Sequence, residues 1–295
     1  MRKLLAGFLS ALLLMGAAQA EVYPVSSEAD VPADWAQKET FRLTCVDTNR
    51  SDAMILQCGG EAMMVDGGEG KMRRRVYATL DAYGIQELKY LLNSHCDDDH
   101  LHGFIYLMRS GLYQVDAFLS PNDTAYVDEE GYQQLAVHAT QELRIPYMQV
   151  DSGDEFSLGA AQVTILRCGE PWGQNNRSAA CLVRFGDARV LLTGDIDNET
   201  MKWYAATYGE ALRCDILKAP HHGLATIPAE FVAQTQPKVL FVPNLAAKST
   251  KVTAGWAKKY MPDAALYFSG DGSVTMLTDG TDWYVWQEAN YVDPA

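Results

Sequence analysis

After its first twenty residues, this 295-residue chain has no apolar run long enough to cross a bilayer, a task that takes about 20 residues. Positive charge is also scarce. Lys and Arg number 24 against 38 Asp and Glu, and the formal net charge is −14. Such a chain repels polyphosphate backbones at long range. It has no Lys/Arg stripe with interleaved aromatics of the kind that tracks a nucleic acid. Nucleic acid is therefore disfavoured by charge as a partner, although bound metal ions can reverse a local field. The one basic cluster, "KMRRR" at 71–75, is expected to be the solvated start of a helix. No fixed short repeat and no low-complexity tract occurs, which argues against a solenoid. Histidine is rare too, with six in the whole chain, and three of them fall inside eleven residues, "NSHCDDDHLHG" at 93–103.

The first twenty residues have a basic start (Arg2, Lys3), an apolar stretch and the ending Ala18-Gln19-Ala20. This is the pattern of a secretory signal peptide cleaved before Glu21. The expected mature protein is soluble, exported from a bacterial cell and still more acidic. An even count of six cysteines permits disulfides in such a compartment. Cys45 with Cys58, and Cys168 with Cys181, flank predicted turns and are the pairs expected to face one another.

Residues 21–40 are polar, contain two prolines and are expected to form a linker or surface arm. From Phe41 to the end, hairpin-like strands mix with strand–helix units. That pattern indicates an α/β (α+β) domain over 41–295, with a mixed sheet system covered by helices. "HLHGFIYLMRSG" has helical spacing from His100 and stops at Gly111.

Four apolar strands run directly into metal-binding residue types. Asp66 ends "MMVDGG", and His95, Asp97, Asp99 and His100 follow the expected strand "ELKYLLNS". Asp195 ends "VLLTGD", and His221 and His222 end "ILKAPHH". One acidic strand end means little, since carboxylates often cap helices. Four are hard to assign to chance, because strand ends in α/β folds converge on one edge. Imidazoles with a shared carboxylate are what a pair of divalent ions needs to clamp and activate a water.

The run "SHCDDDHLHG" resembles the His-x-His-x-Asp-His signature of the metallo-β-lactamase fold, with Asp97 in the second histidine position. That variant is similar to the hydrolase domain of ComEC/Rec2-type competence proteins. "VDTNRSDAMILQ", "VDGG", "NNRSAACLVRFGDARVLLTGDID" and "ILKAPHHG" resemble further blocks of the same family in the same order, over roughly residues 41–280. The resemblance implies a four-layer αββα sandwich and two divalent ions, zinc or manganese. It implies His95 and Asp97 at the first ion, Asp99 and His100 at the second, and Asp195 bridging. One of His221 and His222 completes the set, His222 favoured because it precedes the glycine. Asp66 is implied as a brace for the ligand loop, and Asp99 as the group that orients the attacking water.

The chain departs from that pattern in one block. "GQNNRSAAC" has no histidine where the family usually places a ligand, so Asn175, Asn176 or Ser178 are the expected substitutes. The first position is then oxygen-rich, which moves the preference from zinc towards manganese or magnesium. Asn176, Ser178 and Lys218 are the candidate pocket residues, Lys218 either meeting a substrate anion or lying on an exposed face. His138 is expected on a helix away from the site.

The function the resemblance implies is hydrolysis by a metal-activated water, foremost of phosphodiester bonds in a nuclease- or phosphodiesterase-like manner, with a small-molecule or phosphodiester substrate. A rival of the same class is an acyl or amide hydrolase, β-lactams included, which Asp97 and the missing histidine disfavour. A rival of another class is a non-catalytic metal- or ligand-binding protein, which the near-complete ligand set disfavours.

Overall fold

The computed structural model describes residues 20–126, 128, 130–169, 173–249 and 252–291. The expected signal peptide, at 1–20, lies outside the described residues but for Ala20. Two sheets form the centre. The larger has the order β1 (Val22–Pro24), β18 (Trp283–Gln287), β17 (Val274–Thr278), β2 (Phe41–Cys45), β3 (Ala53–Cys58), β4 (Glu61–Gly67), β6 (Tyr90–Leu92), β8 (Phe118–Ser120), β9 (Tyr147–Gln149). The smaller has the order β10 (Glu155–Leu158), β11 (Ala161–Leu166), β12 (Ala180–Phe185), β13 (Ala188–Leu192), β14 (Ile216–Lys218), β15 (Val239–Val242), β16 (Ala265–Phe268). A separate ribbon pairs β5 (Glu87–Leu88) with β7 (Gln114–Val115). Alternation of side chains along each strand then sorts the core into layers. Met63 and Val65 of β4 face Val190 and Leu192 of β13 in the seam between the sheets. Met64 faces outward onto α1 (Arg73–Ala82), α2 (Asp98–Ser110) and α3 (Tyr132–Leu143). Leu191 faces outward onto α4 (Asn198–Tyr208), α5 (Ala229–Thr235) and α6 (Ala257–Tyr260). This is the four-layer αββα sandwich.

Each sheet contains a parallel run, β4–β6–β8 in one and β13–β14–β15 in the other. Strands that run parallel end on the same edge. Asp66, the 93–100 loop, Asp195 and the 219–222 loop all leave from these ends.

Three sequence expectations change here. The cysteine pairs do not form, and all six thiols are free. In the β2–β3 hairpin Cys45 lies opposite Met54, whereas Cys58 lies opposite Phe41 at the other end. Cys181 faces the seam and Cys168 faces the α4 layer, on opposite sides of one sheet. Burial pushes the Cys45 thiol up to about 12. The 21–40 arm is tied down: β1 extends the large sheet beside β18, and Trp35 is buried against Leu277 and Trp286. "ELKYLLNS", expected as one strand, is divided between the ribbon and the large sheet.

Helix α2 carries the ligand residues and lies unusually close to β4. Gly103 N donates to Gly68 O at 2.8 Å. A Cβ on Gly103 would fall 1.8 Å from Gly67 O, so no other residue fits without moving the helix. Gly103→Ala is therefore expected to cost about 1–3 kcal/mol through overpacking, read as a lower urea midpoint, and to weaken metal binding at the N-terminus of α2. An unchanged midpoint would show that the helix has room to shift.

Candidate metal centre

The ligand loop is shaped by short-range polar contacts. Asn93 Nδ2 donates to His95 O at 2.6 Å, folding the chain as it leaves β6. Asp97 then stands at the N-cap of α2, with Asp98 and Asp99 in the first turn, where acids meet the positive end of the helix dipole. His95 and Asp97 come together before the helix, His95 Nε2 lying 3.3 Å from Asp97 Oδ2. On the other side of the seam, the turn Gly194-Asp195 needs its glycine. Gly194 has φ +57°, and a Cβ there would lie 2.8 Å from Ser178 Cβ. Asp66, His221 and His222 are left-handed without being glycine, with φ of 58°, 51° and 50°. Such backbone costs of order 1–3 kcal/mol per residue and marks sites where the aim of a side chain matters.

Two imidazoles face each other across the seam. His100 Nδ1 lies 2.8 Å from Asp66 Oδ2, and His222 Nδ1 lies 3.1 Å from Asp52 Oδ1. Ser94 holds Asp66 in place through N and Oγ, both at 2.7 Å. Because a carboxylate faces each Nδ1, each Nε2 points inward, and the two are 3.3 Å apart. Asp195 Oδ2 lies 3.3 Å from His100 Nε2 and 3.2 Å from His222 Nε2. Asp99 Oδ2 lies 3.1 Å from His222 Nε2. Asp52, His100, Asp195 and His222, all buried, each offer a ligand atom within 4.8 Å of the others.

The charges of this cluster are coupled. Burial opposes charge on Asp195, yet His222, His100 and Lys218 hold its carboxyl well below the usual range. Burial likewise opposes protonation of His100 and His222, but Asp195 and the carboxylates at their Nδ1 atoms raise both well above the usual imidazole value. Asp97 is lowered against burial by His95 and Gln174. One ammonium, Lys218, is buried at 2.6 Å from Asp52 Oδ2 and 3.4 Å from Asp195 Oδ1. His95 Nε2 is buried, and Asp97 Oδ2, 3.3 Å away, is not aligned for a hydrogen bond to it. Five aspartates, at 52, 66, 97, 99 and 195, surround three imidazoles and one ammonium. Convergent acceptors, an orphaned imidazole nitrogen and excess acid are the donor set of a divalent cation. Such an ion competes for the same lone pairs as the protons on His100 and His222.

The family model of the metallo-beta-lactamase superfamily matches residues 46–235. The chain belongs to that superfamily. It is 26% identical over 166 residues to ComE operon protein 3 of Bacillus subtilis, covering 55% of this chain and 21% of that protein. It is 26% identical over 211 residues to Recombination protein 2 of Haemophilus influenzae, covering 70% of this chain and 24% of that protein. The chain thus spans about a fifth to a quarter of the length of these curated relatives. Among solved structures, the metallo-beta-lactamase fold protein YhfI from Bacillus subtilis superposes with a TM-score of 0.53 over 83% of this chain and 99% of that chain, at 14% identity. At that identity the match shows the fold alone. Among the described residues, no helix is long and apolar enough to cross a membrane.

Within this metallo-beta-lactamase scaffold the expected residues separate. Asp66, His95, Asp97, Asp99, His100, Asp195 and His222 come together. His221 stands at the rim, partly exposed, with Nε2 3.9 Å from Asp195 Oδ2. The three expected pocket residues are buried among protein partners. Asn176 is buried and caps α4, accepting from Asp197 N at 3.0 Å and Thr200 Oγ1 at 2.6 Å. Asp197, not the adjacent Asn198, is the N-cap itself. Ser178 Oγ accepts from Asp195 N at 3.1 Å and so fixes the bridging aspartate. Lys218 is neither exposed nor free for substrate, since its whole head is taken up by Asp52, Asp195 and Gly194 O. His138 lies exposed on α3, as expected of a surface histidine. Two contributors went unread. Asp52 is one, although the block "VDTNRSDA" contains it. Gln174 is the other; its amide donates to Asp97 in the block that lacks a histidine.

Removing the buried ammonium should expose how much it matters. Lys218→Met leaves Asp52 and Asp195 without their counter-ion and is expected to cost about 3–5 kcal/mol in urea unfolding. Adding Asp52→Asn should recover part of that loss. A cost below about 1 kcal/mol would mean that water or protonation compensates the acids.

Proposed function

We propose that this superfamily member is an exported hydrolase of phosphodiester bonds that works with two divalent ions, manganese or zinc. The observation that carries the reading is the oxygen-rich first position. Asp97 stands against His95 where an imidazole is usual, and the Gln174 amide donates to that carboxylate. Carboxylate-rich sites favour the harder divalent ions, and paired hard ions suit in-line phosphoryl transfer. His95 and Asp97 would hold one ion, Asp99, His100 and His222 the other, and Asp195 both. Ions held there supply Lewis acidity to the phosphoryl oxygen and make water acidic enough to ionise near neutral pH.

The protein's own groups do the rest. Asp66 and Asp52 keep the imidazoles of His100 and His222 turned with Nε2 inward, so that both lone pairs are presented together. Lys218 holds the bridging carboxylate from behind through its Oδ1, leaving Oδ2 directed at the imidazoles. Asp99, beside His222, has a path to solvent, 22% exposed where Asp195 is 3%. Burial resists its charge, but His222 and His100 keep it well below the usual carboxyl range. Lying beside both inward imidazoles, it is placed to orient the attacking water and to take its proton at Oδ2. The recombination role in one relative's name belongs to a much longer protein, and only the hydrolase domain is carried over.

Bis(p-nitrophenyl) phosphate is the test substrate. The mature protein should release p-nitrophenolate with manganese or zinc and not with chelator. Asp99→Ala should lower kcat by about 10²-fold or more, and Asp195→Asn should weaken metal affinity by about 10–100-fold. Bound metal without turnover of the diester would sink the phosphodiesterase reading and leave an acyl hydrolase or a binding protein.

A further inference from the structure

A protein cation at the mouth would let the centre tell an anionic ester from a neutral one, and Lys218 is locked inside. Arg177 is a different case. It lies in the short turn Asn175–Arg177, which is pinned on both sides to the centre. Gln174, before the turn, donates to Asp97. Ser178, after it, accepts from Asp195 N at 3.1 Å. Arg177 is therefore carried on a fixed support between the first-ion carboxylate and the bridging one.

Its head group is also placed. The guanidinium carbon lies 5.2 Å from the centroid of the Tyr126 ring. Tyr126 packs against the apolar cluster that contains Cys96, the residue between His95 and Asp97. The ring therefore holds the cation beside the His95–Asp97 edge. Arg42, Arg75, Arg109 and Arg167 each hold a carboxylate. Arg177, among the described residues, makes no ion pair and rests on the ring. A guanidinium stacked on an aromatic face keeps its planar fork of N–H donors free at the edge. That fork matches two oxygens of a phosphate.

We propose that Arg177, held by Tyr126, recognises the anionic oxygens of the substrate at the His95–Asp97 edge and makes the site selective for singly charged phosphodiesters over neutral esters. The proposal rests on the phosphodiesterase reading and names the residue that would carry its substrate preference. Arg177 is a specificity residue here; the water and its proton stay with Asp99.

The test uses ligands that cannot turn over. Diphenylphosphinate has the charge of a phosphodiester but no P–O–C bond, and diphenylphosphinamide is its neutral counterpart. Their affinities for the manganese-loaded protein would be measured by calorimetry. Arg177→Ala is expected to weaken phosphinate binding about tenfold and to leave the phosphinamide unchanged. Arg177→Lys should recover part of the loss, and Tyr126→Leu should fall between. Arg74→Ala, an exposed charge on another element, should change phosphinate binding less than about twofold. Equal effects on both ligands, no effect on either, or no phosphinate binding by the wild type would overturn the proposal. Turnover of bis(p-nitrophenyl) phosphate is scored apart. Arg177-dependent phosphinate binding without diester turnover keeps the anion site and discards the hydrolase reading.

Discussion

The ammonium of Lys218, buried between Asp52 and Asp195, is the contact on which the centre depends. Asp52 precedes β3 in the large sheet, while Lys218 ends β14 and Asp195 follows β13 in the small one. The ion triad therefore joins the two sheets at the edge where their apolar seam gives way to the site. Taking each charge out of water costs several kcal/mol, and only close geometry offsets it. Here one cation serves two anions, and each anion does further work. Asp52 faces His222 Nδ1, and Asp195 lies between the two inward Nε2 atoms. The contact that closes the sandwich also aims the ligands.

The remaining excess of acid is a functional feature. A stable fold without a cation to bind would gain by replacing buried carboxylates with apolar residues. This chain instead keeps them and invests backbone strain to aim them. Asp66, His221 and His222 adopt left-handed backbone, and Gly103 and Gly194 sit where a side chain would collide with the opposite loop. These constraints bring donors from the large sheet (Asp52, Asp66, His95 to His100) against donors from the small one (Asp195, His222). Neither sheet has a complete set alone.

Much of this was legible along the chain, for reasons that can be named. The histidine–aspartate run stood out because histidine is rare elsewhere and because it followed an apolar strand. The α2 helix could be read from its spacing and its terminal Gly111. Asp195 and His222 were marked by glycines that allow sharp turns at strand ends. Asp52 was missed because a lone aspartate after a turn is also the commonest kind of loop residue. Lys218 was misread because a lysine is seldom wholly buried, and nothing nearby in sequence announced the two aspartates that neutralise it. The partners of Asn176 and Ser178 could not be read, because side-chain direction within a short turn is not encoded by position alone. Gln174 lay in the right block but carried no ligand-type side chain.

Local pattern thus sufficed for most of the strand–helix order, which rests on periodicity and turn chemistry, and the resemblance of the motifs sufficed for the family. Register and facing did not follow from pattern. The cysteine pairs lay near predicted turns, yet hairpin register puts Cys45 and Cys58 at opposite ends, and the pleat puts Cys168 and Cys181 on opposite faces. The arm docks because β1 finds an open edge beside β18, a strand more than 250 residues away. Lys218 acquires its partners only when the two sheets close on each other. Such pairings are settled by contacts between distant segments and by the cost of burying charge, and no short stretch of the chain carries either.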